Sequence, residues 1–113
     1  MKKDIISKIS KVLEERKKLP KTNSYTKHLY ERGVDEILKK VEEETLELIK
    51  ATKDVSKYRE RKIVHEVADL WFHTMVLLSN ENINPLKVLK ELESRFGISG
   101  IVEKNSRKKK KNR

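Results

Sequence analysis

Two pairs of acidic residues stand at a spacing that could bind a metal ion. Glu44 and Glu47 are three residues apart, and Glu66 and Asp69 repeat that spacing further along the chain. On an α-helix, residues three apart lie on the same side, with Cβ atoms about 5–6 Å from each other. Carboxylate oxygens are the ligands that Mg²⁺ and Mn²⁺ prefer. If the two motifs meet, they predict a divalent-cation site.

The register of the chain predicts that the two motifs do meet. Both lie in segments with helical periodicity, separated by a short polar stretch. In an antiparallel pair of helices, residues at the same level have a constant sum of residue numbers, which places Glu44 level with Asp69. The same register places Glu47 level with Glu66. Asp69 also lies among apolar residues, where an unpaired carboxylate is costly. We therefore expect the four carboxylates to converge on Mg²⁺, with Mn²⁺ as a possible substitute.

Neighbouring side chains suggest the chemistry at such an ion. Mg²⁺ held by carboxylates usually takes its other ligands from water and substrate phosphates, so hydrolysis of a polyphosphate is expected. Glu43 or Glu47 could orient or deprotonate the attacking water. Lys40, in line with the acids, is a candidate for binding phosphate. His73 follows the acids by one turn and is a candidate substrate contact, although a histidine beside apolar residues is more often a core residue.

The same acids also have a purely structural interpretation. Glutamate-rich helices are common, and Glu-x-x-Glu often occurs by chance. In that case Lys40 would pair with Glu44. Asp69 would then hydrogen-bond Trp71 or His73. The matching register and the apolar surroundings of Asp69 favour the metal site.

Helical periodicity along the whole chain predicts the elements that position these acids. The predicted helices cover about residues 3–17, 24–33, 34–54, 61–79 and 84–97. Asn84 followed by Pro85 is typical of a helix start, and Gly33 and Gly97 are typical of helix ends. We expect an all-α fold, an antiparallel bundle of four to five helices. The predicted 61–79 helix is apolar around most of its circumference, which indicates an interface and hence a homodimer.

Composition narrows the class of protein further. The 113 residues include no cysteine and three glycines, which excludes disulfides, thiol chemistry and a glycine-rich phosphate loop. No membrane span or signal peptide is predicted, so the expected location is cytoplasmic. Seven of the ten excess positive charges lie in residues 104–113, a basic C-terminal tail beyond an all-α domain at 1–103. Its Lys104 and Arg107 could fold over to bind substrate phosphates.

The basic tail also raises the alternative of a non-catalytic RNA-binding helical module. Base stacking is unsupported because the tail has no aromatic residue, so nucleic acid is not the expected partner. A plain helical interaction protein, which would bind no Mg²⁺, is a further alternative.

Several segments together resemble the phosphoribosyl-ATP pyrophosphatase family. They are Ser24-Tyr25-Thr26, the stretch 33–41, the acids at 43–47, the segment 66–73, and Phe96-Gly-Ile-Ser-Gly100 with Glu103-Lys104 and Ser106-Arg107 beyond it. The likeness covers about residues 24–107. The acid pattern alone is shared by the wider all-α nucleoside triphosphate pyrophosphatases of the MazG type. A MazG-type enzyme that destroys non-canonical nucleotides is therefore an alternative with the same metal chemistry.

The resemblance implies a MazG-like, usually dimeric fold and a reaction in histidine biosynthesis. Phosphoribosyl-ATP would be cleaved to phosphoribosyl-AMP and pyrophosphate in a Mg²⁺-dependent hydrolysis. The implied metal ligands are Glu44, Glu47, Glu66 and Asp69, with Glu43 as an added acid. The candidate substrate-binding residues are Ser24, Tyr25, Thr26, Lys40, His73, Lys104 and Arg107. The family often has glycine where this chain has Glu42, which we expect to point into solvent.

Overall fold

The chain is seen in a computed structural model that describes residues 2–18 and 24–97. These residues form five helices and no strand, which confirms the predicted all-α fold. The helices are α1 (Lys2–Lys18), α2 (Tyr25–Arg32), α3 (Val34–Thr52), α4 (Arg59–Asn80) and α5 (Leu86–Phe96). None of these described helices is long and apolar enough to cross a membrane. Lys104 and Arg107 lie outside the described residues, and the division into a 1–103 domain and a 104–113 tail stays a prediction.

The short connections between helices follow the predicted start and end residues. The Oγ of Ser24 accepts a hydrogen bond from Lys27 N–H at 3.4 Å and so caps the start of α2. Gly33 ends α2 with a φ of 93°, a backbone conformation that favours glycine, and α3 begins directly after it. Before α5, the Oδ1 of Asn84 accepts a hydrogen bond from Leu86 N–H at 2.9 Å.

Helices α3 and α4 form the antiparallel hairpin that carries the acids, and they are the most extensively packed pair. Asp54 fixes the turn between them, because its Oδ1 accepts a hydrogen bond from Ser56 N–H at 2.6 Å. The other carboxylate oxygen of Asp54 pairs with Lys62 on α4. Arg59 donates from Nε to the carbonyl of Thr52 at 3.1 Å. These contacts across the turn set the register of the two helices.

The hydrophobic core lies where α1 and α2 cover the hairpin. Its buried members are Leu13, Leu29, Ile37, Met75 and Val76. They come from the first four helices, so burial of their side chains holds α1 and α2 against the start of α3 and the end of α4. A chain of hydrogen bonds adds to this packing. Tyr30 donates to Ser79 Oγ at 3.0 Å, and Ser79 donates to Glu14 Oε2 at 2.8 Å.

Apolar side chains on α4 are less covered than the sequence predicts. The apolar periodicity of the 61–79 segment predicts that Val64 and Trp71 face inward. They are 62% and 63% exposed, so that prediction is wrong within a single chain. Trp71 lines a groove of about 310 Å³ between α4 and α5 instead of being enclosed. The described helices pack on other sides of α4 and leave this side open.

Candidate metal and active site

Three of the four predicted acids converge across the hairpin. Glu44 on α3 and Glu66 and Asp69 on α4 each offer a carboxylate oxygen, and the three oxygens lie within 4.8 Å of one another. Glu66 and Asp69 are three residues apart on α4, and the register of the hairpin brings Glu44 of α3 beside them. We call these three residues the acidic cluster. Hard oxygen ligands at this spacing fit a divalent cation such as Mg²⁺.

The other acids of α3 lie outside the acidic cluster. The carboxylate of Glu47, predicted to join it, pairs instead with Lys50 Nζ at 3.2 Å and is about half exposed. A local pair three residues apart on the helix surface thus holds Glu47 in solvent. Glu43 pairs with Lys40 Nζ at 3.3 Å. Glu42 is exposed, as expected.

Neither lysine near the acidic cluster neutralises it. Lys40 pairs with Glu43, and Lys62 pairs with Asp54 at the turn. Within residues 2–18 and 24–97, no lysine or arginine forms an ion pair with any of the three clustered carboxylates. The structural interpretation required Lys40 to pair with Glu44, and that pairing is absent from the described residues. The cluster therefore carries negative charge that a bound cation would neutralise.

Two histidines are the basic neighbours of the acidic cluster. His65 Nε2 lies 3.2 Å from Asp69 Oδ2, and His73 Nδ1 lies 4.0 Å from Glu44 Oε1. In the structural alternative, the Asp69 carboxylate accepts a hydrogen bond from Trp71 or His73. The partner of that carboxylate is His65, one turn earlier on α4.

The electrostatics of Glu44 reflect this crowding. Its side chain is only 16% exposed. Burial raises the pKa of Glu44 above its ordinary value of 4.5, and the charge of Asp69 raises this pKa further, while His73 opposes both effects. Asp69 itself is 39% exposed, more than its apolar neighbours suggested. Glu44 is thus the less exposed of the two carboxylates and Asp69 the more exposed.

A tyrosine and a histidine from different helices meet beside the acidic cluster. The Nε2 atom of His73 lies 2.8 Å from the hydroxyl oxygen of Tyr25, and its Nδ1 atom lies 2.9 Å from the backbone carbonyl oxygen of Asp69. Tyr25 is half exposed. Burial raises its pKa above the ordinary value of 10.0, and the nearby charge of Lys40 opposes this effect. Tyr25, His73 and Lys40 thus lie at the edge of the cluster.

The two residues that flank Tyr25 have other positions. Ser24 Oγ caps α2 and also accepts a hydrogen bond from Arg16 at 3.2 Å. Thr26 is 2% exposed and lines a pocket with α1 residues such as Ile9 and Leu13. Ser24 therefore contacts α1, and Thr26 shares a pocket with it.

A helical hairpin with facing acid pairs is typical of the all-α nucleoside triphosphate pyrophosphatases that the sequence resembles. The profile of the family described as phosphoribosyl-ATP pyrophosphohydrolase matches residues 6–96. The chain belongs to this family.

Curated relatives match nearly the whole chain. The phosphoribosyl-ATP pyrophosphatase of Vesicomyosocius okutanii is 48% identical over 104 residues, 92% of this chain and 96% of the relative. The protein of the same name from Hydrogenovibrio crunogenus is 45% identical over 111 residues, 96% of this chain and 97% of the relative. The one from Methylococcus capsulatus is 47% identical and covers 93% of this chain and 97% of its own length.

Proposed function

We propose that the chain hydrolyses phosphoribosyl-ATP to phosphoribosyl-AMP and pyrophosphate in histidine biosynthesis. Membership of the phosphoribosyl-ATP pyrophosphohydrolase family supports the substrate. The observation that carries the chemistry is the convergence of Glu44, Glu66 and Asp69 without a lysine or arginine partner among the described residues. The acid pattern alone would also suit a MazG-type enzyme acting on other nucleotides, and the family match favours phosphoribosyl-ATP.

In this proposal, Glu44, Glu66 and Asp69 hold Mg²⁺, or Mn²⁺ in its place. Glu47 is proposed as a further ligand or as the base, since it lies one turn from Glu44 and its pairing with exposed Lys50 is worth little. When bound, a divalent cation polarises a phosphoryl oxygen and lowers the pKa of a bound water. The raised pKa of Glu44 is consistent with a site built for positive charge.

The reaction needs a water molecule to be oriented and its proton to be accepted. Glu43 or Glu47 is proposed for this role, because both carboxylates lie on α3 beside the acidic cluster and are about half exposed. The water oxygen bonds to the α-phosphorus, the α–β link breaks, and the bridging oxygen leaves with pyrophosphate. Lys40, paired with Glu43, is proposed to bind substrate phosphate.

The remaining substrate residues stay predictions. Tyr25 offers a half-exposed ring at the edge of the cluster, which suits contact with the substrate. Ser24 contacts α1, Thr26 shares a pocket with it, and both would act through the position of α2. Lys104 and Arg107 lie outside the described residues. A cytoplasmic location is likewise proposed from the pathway.

We further propose that the chain forms a homodimer. The largest exposed apolar side chains of the hairpin and of α5 include Leu46, Val64, Trp71 and Phe96, each more than half exposed in the single chain. Apolar surface of this extent usually marks an interface. Light scattering should give twice the mass of one chain, and a monomer at micromolar concentration would contradict the proposal.

Pyrophosphate release from phosphoribosyl-ATP, with and without Mg²⁺, tests the function directly. We expect turnover that requires the metal and is removed by EDTA. Ordinary dNTPs serve as competing substrates in the same assay. Turnover of dNTPs with none of phosphoribosyl-ATP would contradict the proposed substrate, and metal-independent turnover would contradict the proposed site.

A further inference from the structure

His73 is a buried histidine whose two ring nitrogens are both occupied within the protein. The side chain is 7% exposed. Nδ1 lies 2.9 Å from the carbonyl oxygen of Asp69, and a carbonyl can only accept a hydrogen bond. Nδ1 therefore carries the hydrogen. In the neutral ring Nε2 is then an acceptor, and Tyr25 donates its hydroxyl hydrogen to it at 2.8 Å.

Two aromatic side chains also pack against the ring of His73. Tyr25 packs against it edge to face, with ring centroids 5.8 Å apart, and Phe72 packs in the same manner at 5.3 Å. Its Nδ1 atom faces Glu44 Oε1 at 4.0 Å. One rigid imidazole thus contacts the backbone of Asp69 on α4, the carboxylate of Glu44 on α3 and the hydroxyl of Tyr25 on α2.

We propose that His73 is a positioning residue that sets the separation of Glu44 and Asp69, and that the hydrogen bond from the Tyr25 hydroxyl holds the ring in the orientation this role requires. The inference rests on the proposed metal-dependent hydrolysis. It replaces the expectation that His73 binds substrate, because neither ring nitrogen is free to do so. Tyr25 consequently has two parts: a hydroxyl that faces the protein and a half-exposed ring.

The physical reason is the need to hold like charges at a fixed distance before a cation arrives. Glu44 and Asp69 repel each other across the hairpin, and the charge of Asp69 already raises the pKa of Glu44. A donor hydrogen on Nδ1 faces the Glu44 carboxylate and reduces that repulsion, while the contacts with Asp69 and Tyr25 hold the ring in place. Groups that orient metal-binding side chains in this way typically change metal affinity about 10–100-fold when they are removed.

Tyr25→Phe is the sharpest test because it removes one oxygen and keeps the ring. Tyr58→Phe is the matched control, since Tyr58 lies in the α3–α4 turn and packs beside Lys57. Mn²⁺ binding to the free protein is measured by calorimetry, without substrate. We expect Tyr25→Phe to bind Mn²⁺ about 10-fold more weakly than the unmodified chain, and Tyr58→Phe to bind it equally well.

Two further measurements separate positioning from a general loss of structure. Nitrogen-15 NMR of the His73 ring should show hydrogen on Nδ1 in both chains, because the Asp69 carbonyl is unchanged, and a shifted Nε2 signal in Tyr25→Phe, which lacks the hydroxyl donor. Turnover of Tyr25→Phe should recover at high Mg²⁺, because weaker metal binding is overcome by concentration and a misfolded site is not.

The outcomes distinguish this inference from the proposed function. Equal Mn²⁺ affinity in Tyr25→Phe and in the unmodified chain would overturn the inference and leave the proposed hydrolysis standing. Hydrogen on Nε2 of His73 in the unmodified chain would also overturn it. If the unmodified chain binds no Mn²⁺, the inference and the proposed metal site both fail.

Discussion

The acids at the turn of the α3–α4 hairpin and those in its middle lie in opposite electrostatic surroundings. At the turn, Asp54 pairs with Lys62 and accepts a hydrogen bond from Ser56 N–H. Both contacts, Lys62 first, lower the pKa of Asp54 below the ordinary value of 3.8. In the middle of the same hairpin, burial and Asp69 raise the pKa of Glu44. The turn acid is a structural residue whose charge is already balanced. The clustered acids have histidine neighbours but form no ion pair with a lysine or arginine among the described residues.

The difference arises from where the lysines bind. Lys62 and Lys40 lie four residues before Glu66 and Glu44, yet each pairs with an acid outside the cluster. An acid–lysine pair near the surface contributes little to stability. The main consequence of these two pairings is that neither lysine occupies the acidic cluster. A carboxylate held away from lysine is available to a metal ion.

The largest effect is expected from removing one charge of the acidic cluster. Asp69→Asn should lower pyrophosphate release about 10³-fold or more at saturating Mg²⁺, because a bound ion loses a ligand while the shape of the side chain is kept. The metal-free protein should unfold at the same or a higher temperature, since repulsion is relieved. Strong destabilisation would instead indicate a structural ion pair between Asp69 and His65.

A smaller loss is expected from Glu47→Gln, because Glu47 lies outside the acidic cluster and pairs with Lys50. Turnover should fall about 10–100-fold if Glu47 turns inward as a ligand or base. Steady-state rates across Mg²⁺ concentrations would show whether the loss is in metal affinity. Turnover equal to that of the unmodified chain would remove Glu47 from the site.

Glu44 in the middle of the hairpin and Asp54 at its turn should make opposite contributions to the pH dependence of stability. A raised folded pKa means that Glu44 binds its proton more tightly in the folded state, so its ionisation costs stability as pH rises through that pKa. A lowered folded pKa means that Asp54 stabilises the fold above pH 3.8 and loses this effect as pH falls.

Thermal melts of the metal-free protein, measured with EDTA between about pH 3 and pH 8, check this contrast. Glu44→Gln should be more stable than the unmodified chain at neutral pH, with the gain shrinking as pH falls. Asp54→Asn should be less stable at neutral pH, with the deficit shrinking in acid. The same sign of change for both variants at neutral pH would show that the two acids are not opposed.

The smallest effect is expected from Glu42→Gln, the neighbour of the acidic pair that faces solvent. Its turnover and melting temperature should stay within about twofold and a degree of the unmodified chain, as is usual for an exposed residue without a partner role. A large loss of turnover would show that the helical phase assigned to α3 is wrong.

The convergence of Glu44 with Asp69 was predictable because the turn is short and helical register fixes which residues are level. The exposure of Asp69 was not predictable, because the period of one helix does not show how closely the neighbouring helices pack against it. The same reason explains why the apolar face of α4 indicated burial that one chain does not provide.

Contacts between distant segments were the least predictable part of the site. Tyr25 and His73 are 48 residues apart, and no spacing pattern links α2 to the middle of α4. The contact of Glu47 is of the opposite kind, because its partner Lys50 lies three residues away and such a local pair is visible in the sequence. The role of Glu47 at the metal site stays a prediction.

The most direct test of the metal site is a Mn²⁺ titration of the free chain, followed by electron paramagnetic resonance, alongside Glu44→Gln, Glu66→Gln and Asp69→Asn. We predict saturable binding by the unmodified chain that each of the three substitutions weakens by at least about 10-fold, with Glu42→Gln unchanged. Binding that survives all three substitutions, or no binding by the unmodified chain, would contradict a divalent-cation site at Glu44, Glu66 and Asp69.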